Sequence, residues 1–313
     1  MNTNPIDINS ITLIPDKESY CRDSSEVEIG NIFINNYNFP DCSSELLLEL
    51  LNNNSSVIVP SFLRTSMFLS QESLINDSIY FSVSNDFEKE FELFKNLYSI
   101  SKKEIKINIS LNADNGDTLN AHQQYLKWKE CSFVNKVMSA PIVTGKAALK
   151  CIDSGCDVLV IGFNDSYIQT TGVNIPILNS IIEVTTLMEL ADPTLLNEIE
   201  LIANSNTLNP VLVSKLLSFK IDQVMLYDDL ENVIESSNWE MPNLFQAIKM
   251  RSRKKVKTNS FGDLINPTQT CKELINQYNQ NLKEILHCLG FASTQDLKET
   301  KSNNKECKYL HSF

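Results

Sequence analysis

Seven short apolar runs recur along this chain, spaced so that one helix fits between neighbours. They are Val57–Pro60, Ile79–Val83, Ile105–Leu111, Val137–Val143, Asp157–Gly162, Glu200–Asn204 and Asp222–Tyr227. Each sets β-branched and large apolar residues side by side, as strands covered on both faces do. Helical stretches lie between them. SSELLLELLNN has Ser43 or Ser44 as its N-cap, and NDFEKEFELFKNLYSI is capped by Asn85 or Asp86 with Phe87, Phe91 and Phe94 on one face. GKAALKCIDSG ends on Gly155 in the C′ position, and NPVLVSKLLSFK has Pro210 in its first turn.

Strands that alternate with helices pair in parallel, because each crossover returns the chain to the same end of the sheet. A weaker eighth run falls at Asn38–Cys42. Eight such units predict an α/β fold, a (β/α)8 TIM barrel, with an open doubly wound sheet as the second choice. Residues 1–36 read as an irregular lead-in followed by a short hairpin (EVEIGNIFINN), and PTQTCKELINQYNQNLKEILHCLG reads as a C-terminal helix stopped by Gly290. No internal repeat or glycine-serine linker divides the chain, so residues 1–313 form one domain. It carries a flap-like insertion at about 231–262, with the basic run Lys249–Lys257, and a loose tail at about 299–313.

Charge and composition narrow the partners. With 39 acidic against 27 basic residues and a net charge of −12, the surface suits neither nucleic acid nor an anionic membrane. No apolar run approaches the ~18 residues of a membrane span. The opening MNTNPIDINS has neither the basic nor the apolar region of a secretory signal, which predicts a cytoplasmic location. The eight cysteines form no CxxC pair and match no zinc spacing, so they read as reduced thiols. His122, His287 and His311 are too scattered to suggest a triad or a metal site, and Trp128 and Trp239 read as packing residues. The chain has only 8 glycines, where ordinary usage of ~7% would give about 22. Few places therefore remain for loops that press backbone against a phosphate.

The segment APIVTGKAALKCIDSGCDVLVIGFNDSYIQTTGV reads strand, helix, strand, loop. It resembles the core of the IMP dehydrogenase/GMP reductase family, in which a strand enters a Thr-Gly turn, a helix ends in a Ser-Gly-Ala-Asp turn, and the next strand runs into the catalytic loop. Five further stretches resemble the same family in the same order: ITLIPDKESYCRDSSEVEI, NDFEKEFELFKN, LNADNGDT, IANSNTLNPVLVSKLLSFKIDQVMLYDDL and FGDLINPTQTCKELINQYNQNLKEILHCLGFASTQDL. The lack of a regulatory insert favours the GMP reductase branch. The resemblance implies a nicotinamide cofactor, NADP(H), a purine nucleotide substrate, and assembly into oligomers through the barrel sides.

The family's loop Gly-x-Gly-Pro-Gly-Ser-x-Cys-Thr-Thr falls on Gly162-Phe163-Asn164-Asp165-Ser166-Tyr167-Ile168-Gln169-Thr170-Thr171. The cysteine position is Gln169, beside the matching Thr170 and Thr171. A carboxamide nitrogen is not a nucleophile and has no equivalent of a thiolate. Cys151 and Cys156 lie before and at the start of the preceding strand and read as small buried hydrophobes. On the cofactor side the resemblance matches Asn115 and Gly116, with Asn112 where the family has aspartate and Asp114 as an added charge. Lys215, Asp222 and Gly155 match framework positions.

The phosphate loops, glycine-rich in the family, become Asn164, Asp165 and Ser166, then Asn204, Ser205 and Asn206, then Tyr227 and Asp228. Tyr227 puts a side chain where backbone must approach closely. A like charge ~4 Å from a phosphate costs about 4 kcal/mol at an effective dielectric near 20, roughly a thousandfold in affinity. The resulting expectation is a degenerate barrel, a pseudoenzyme kept for binding or regulating a partner, as a homo-oligomer or a hetero-oligomer with an active homologue. The alternative is a diverged NADPH-dependent GMP reductase-type oxidoreductase.

Overall fold

The computed structural model describes residues 11–13, 21–35, 42–70, 77–101, 106–163, 175–205, 209–226, 230, 233–236, 239–240, 256–258, 264–265, 267, 269–303 and 310–311. Eight parallel strands form one sheet: β1 Phe33–Asn35, β2 Val57–Val59, β3 Ile79–Val83, β4 Ile107–Leu111, β5 Val134–Met138, β6 Val158–Ile161, β7 Glu200–Ala203 and β8 Gln223–Leu226. Neighbours in sequence are neighbours in the sheet from β2 to β8, and β1 lies beside β8. The sheet therefore curls toward closure between β1 and β2. It is the expected (β/α)8 barrel, not an open doubly wound sheet.

Alternate residues face inward and form an inner core of Ile34, Ile58, Tyr80, Met138, Val158, Val160, Ile202 and Met225. The intervening strand residues pack outward against the helices α1 Ser44–Asn52, α2 Arg64–Ser70, α3 Phe87–Ser101, α4 Leu119–Lys129, α5 Gly145–Asp153, α6 Ile177–Ala191, α7 Pro210–Leu217 and α8 Cys271–Leu289. Local chemistry starts these helices. The side chains of Ser43, Thr118, Thr144 and Asn209 each accept the backbone N–H three residues on, and Thr270 with Glu273 forms a capping box on α8.

The sequence reading misplaced the eighth strand. Glu26–Asn35 does not form a hairpin. Phe33–Asn35 is the first barrel strand and pairs in parallel with β8, while Glu28 bridges Ser293. Of the expected run Asn38–Cys42, only Cys42 is among the described residues, and it precedes α1 outside any strand.

The β1–β2 seam is thin. It has one bridge, Ile34 to Ser56, with Ser56 N–H donating to Phe33 C=O at 2.8 Å. Asn35 supplies the next pair of bonds from its side chain. Its Nδ2 donates to Ile58 C=O at 2.9 Å, and its Oδ1 accepts Ile58 N–H at 2.6 Å. A carboxamide carries one donor face and one acceptor face, so it replaces a peptide unit in the ladder.

Two aspartates fasten other strands in a repeated way. Asp157, just before β6, accepts Val137 N–H at 2.9 Å and pairs with Lys129 at 2.5 Å. Asp222, just before β8, accepts Leu201 N–H at 2.8 Å and pairs with Lys298 at 3.2 Å. The framework match at Asp222 thus has a concrete role: it caps the edge of the adjacent strand.

The insertion expected at 231–262 includes Trp239–Glu240 and Val256–Thr258, which join Leu264–Ile265 in a three-stranded antiparallel sheet. Most of Lys249–Lys257 lies outside the described residues. In the tail, a helix covers Thr294–Asn303, and Leu310–His311 pairs with Ile11–Thr12. Among the described residues, no helix is long and apolar enough to cross a membrane.

Candidate functional site

In this architecture the loops after the strands meet at one end of the barrel, where TIM-barrel sites are built. The expected site residues that the structure describes are Asn112, Asn115, Gly116, Asn204 and Ser205, all at that end. Asn164, Asp165, Ser166, Gln169, Thr170, Thr171, Asn206, Tyr227 and Asp228 lie outside the described residues.

The turn after β4 is tied down from several sides. Asn112 N–H donates to Val83 C=O at 2.8 Å. Asn115 Oδ1 accepts Asp117 N–H at 2.8 Å, an Asx turn that leads into α4. Gly116 N–H donates to Pro141 C=O at 2.8 Å. A Cβ on Gly116 would stand 2.4 Å from Ala140 O and 2.9 Å from the Ile142 side chain. Only glycine lets the two turns touch there. Below them, the Tyr125 hydroxyl accepts Ala140 N–H at 3.0 Å and reaches Gly116 O at 3.5 Å.

The ends of β6 and β7 are linked in the same manner. Gly162 has φ +105°, and a Cβ there would lie 2.5 Å from Asn204 O. Gly162 N–H donates to Ile142 C=O at 2.8 Å, and Asn204 N–H donates to Ile161 C=O at 2.8 Å. The Asn204 side chain, 2% exposed, donates to Gly162 C=O at 3.2 Å. Contacts therefore run from Gly116 through Ala140 and Ile142 to Gly162 and Asn204, joining β4, β5, β6 and β7. Ser205 is half-buried beside them.

Two charged clusters flank the mouth. Arg64 pairs with Glu90, which also accepts Ser84 N–H at 3.0 Å. Burial pushes the Glu90 carboxyl up, but the bonds from Arg64 and Ser84 outweigh it and hold the group below the usual range. Between α4 and α5, His122 Nε2 lies 3.1 Å from Asp117 Oδ1 and its Nδ1 lies 3.2 Å from Ser154 Oγ, while Lys150 Nζ reaches the same Asp117 oxygen at 3.2 Å. Burial raises Asp117 as well, yet His122 and Lys150 bring it below the usual range.

That grouping gives His122 partners that its place in the sequence does not reveal. His122 does sit between an aspartate and a serine. The contacts span 32 residues from His122 to Ser154, so sequence spacing gives no sign of them; the Asp117–His122 interval at the start of α4 was the only available cue. Ser154 also donates to Lys150 C=O at 2.7 Å and is 8% exposed. The cluster clamps one helix to the next and does not present a nucleophile.

The buried thiols behave as apolar residues. Cys151 is fully buried and Cys156 is 3% exposed, as expected. Burial raises Cys42 and Cys271 to about 12 and Cys131 to about 11, and it raises Cys156 strongly. Trp128 is fully buried, packed edge-on against Phe87 and Phe94. Among the described residues, no three His, Cys, Asp or Glu side chains gather as a metal set.

No protein-family model matches the chain. A stretch of 92 residues, 29% of the chain, is 29% identical to a UPF0738 protein of Bacillus thuringiensis (strain Al Hakam) and covers 75% of that protein. UPF0738 proteins of Bacillus cereus strains B4264 and AH187 are similar over the same length and at the same identity.

Proposed function

We propose that this chain is a degenerate barrel of the IMP dehydrogenase/GMP reductase kind, closest to GMP reductase, catalytically inactive and retained in the cytoplasm to bind or regulate a partner. The partner is a second copy or an active homologue. The fold alone does not argue for this, since TIM barrels host many chemistries. Support comes from the collinear motifs, whose turns fall at the ends of β4, β6 and β7.

The observation that carries the reading is how the mouth uses its polar groups. A phosphate cradle needs backbone N–H groups directed at the ligand. Here the N–H groups of Gly116, Gly162 and Asn204 donate to Pro141, Ile142 and Ile161 of the barrel itself. The side chains of Asn115 and Asn204 bond neighbouring backbone as well. By the resemblance, Gln169 takes the cysteine position, with no nucleophile there, and Asp228 takes a position where the family binds phosphate.

Incubating the pure protein with NADPH and GMP while following cofactor absorbance tests the proposal. No turnover is expected, and neither GMP nor NADP should raise the melting temperature, because a ligand stabilises only if it binds the native state. Turnover that Gln169→Ala abolishes would overturn it and establish a diverged NADPH-dependent reductase. An active homologue from the native source should co-elute with this chain at a mass above that of either alone.

A further inference from the structure

At the end of the barrel opposite the mouth, four neutral polar side chains meet across the closing seam. Asn31 precedes β1, Ser56 precedes β2, Ser78 precedes β3 and Gln223 opens β8. Asn31 Nδ2 donates to Ser56 Oγ at 2.8 Å and to Ser78 Oγ at 3.3 Å. Gln223 Nε2 donates to the same Ser56 oxygen at 2.8 Å. Ser56 is 2% exposed and Gln223 is 5% exposed. Asn31 Oδ1 and Gln223 Oε1 are both buried, and no protein group donates to either.

Each carboxamide has a donor end and an acceptor end, and their assignment can be exchanged. In the orientation these bonds give, the oxygen end of each amide is left without a protein donor. Native interiors rarely tolerate such groups, and a buried water that makes two to four hydrogen bonds is the usual remedy. Water both donates and accepts, so it satisfies either end of an amide. A bare cation would satisfy only the oxygen ends.

We propose that one water molecule is bound here, bridging the outer ends of the Asn31 and Gln223 side chains. It joins the segment before β1 to β8 and completes the seam at the end away from Asn35. The water is structural, held by the same residues that close the barrel.

A crystal structure that resolves ordered solvent should show one peak within about 2.7–3.2 Å of both amides. A thallium-soaked crystal should show no anomalous signal at that point. A signal would overturn the water in favour of a monovalent cation. Gln223→Met, similar in length and apolar, gives an independent measurement. With water bound, this variant loses satisfied bonds and melts at a lower temperature. In a dry cluster it removes the Nε2 bond to Ser56 together with a buried carbonyl that had no partner; the two effects offset, and the melting temperature holds. That outcome, or an empty cluster in the crystal, overturns the proposal.

Discussion

Replacing Asn35 by alanine should loosen the barrel at β1–β2, where the ladder depends on one side chain. Asn35 is 1% exposed, and its carboxamide makes both bonds to the Ile58 peptide groups, at 2.6 and 2.9 Å. Truncation leaves the Ile58 N–H and C=O buried with those partners gone. Each such group costs about 1–3 kcal/mol, so the variant should lose about 2–6 kcal/mol of stability. Urea denaturation followed by circular dichroism measures the loss, and hydrogen exchange locates it. The Ile58 amide should exchange faster in the variant, whereas amides within β6 and β7 should change only as far as global stability does. Asn35→Asp is the informative companion. It keeps an acceptor for Ile58 N–H but removes the donor and buries a carboxylate, so it should be at least as damaging. A loss below about 0.5 kcal/mol, the scale of an ordinary surface change, together with unchanged exchange at Ile58, would refute the role given to this side chain.

Other expectations concern the thiols, the acid limb and the mouth. Brief alkylation of the native protein, read by mass spectrometry, should modify exposed Cys288 and spare Cys42, Cys156 and Cys271, whose burial disfavours the thiolate. Labelling of Cys156 at the rate of Cys288 would contradict the packing. Glu90 and Asp117 have carboxyls held below their ordinary values of 4.5 and 3.8. Their stabilising effect is complete above those values and is lost as pH falls through the lower, folded-state values. The acid limb of a melting-temperature profile should therefore flatten in Glu90→Gln, and an unchanged limb would count against the Arg64–Glu90 pair as its source. Gly116→Ala should cost about 1–3 kcal/mol, since its Cβ meets backbone that cannot step aside. A neutral result in denaturant would remove the packing explanation for that glycine. Gln169→Cys should not create GMP reductase turnover, because a nucleophile does not restore the phosphate site; measurable NADPH oxidation by this variant would show that the site was otherwise intact.

Six of the eight barrel strands were closely legible because a strand buried on both faces has few polar residues and many β-branched ones; β5, Val134–Met138, was read late as Val137–Val143, since Asn135 and Lys136 interrupt its apolar run. β1 was not legible, for a physical reason. Its neighbourhood contains Asn31, Asn35 and Asn36, which locally resemble turn residues. The property that makes asparagine a turn former, a side chain that imitates a peptide unit, is what Asn35 uses to bond Ile58. Helix α4 was hidden in another way. Its buried face is Ala121, Gln124, Tyr125 and Trp128, which has the right spacing but includes a glutamine and a small alanine, so the hydrophobic period is faint. At the mouth, the motif comparison picked out Gly116 and Asn204 without disclosing their bonds, because those partners come from β6 and from the loops after β5 and β6, whereas Asn115 bonds Asp117 two residues on. The clamp formed by Asp117, His122 and Ser154 depends on how two helices pack and leaves almost no sequence trace.

These contacts change the weight of each functional residue. A glycine that matches an enzyme family at a ligand loop ordinarily argues that the ligand is still bound. At Gly116 and Gly162 the argument fails, because an added Cβ would collide with Ala140 O or Asn204 O whether or not a nucleotide is present. The barrel needs both residues to bring its strand ends together, so their presence is silent about chemistry. Asn115 and Asn204 are silent for the same reason, since their amides hold the turn after β4 and the end of β6. Gln169, Tyr227 and Asp228 lie outside the described residues, and they bear on the proposal through the family resemblance alone. In that resemblance a carboxamide stands at the nucleophile position, and a ring and a carboxylate stand at the phosphate loop. The proposed loss of catalysis therefore stands or falls on those three positions and on the turnover assay, and the retention of the glycines and asparagines adds nothing to it either way.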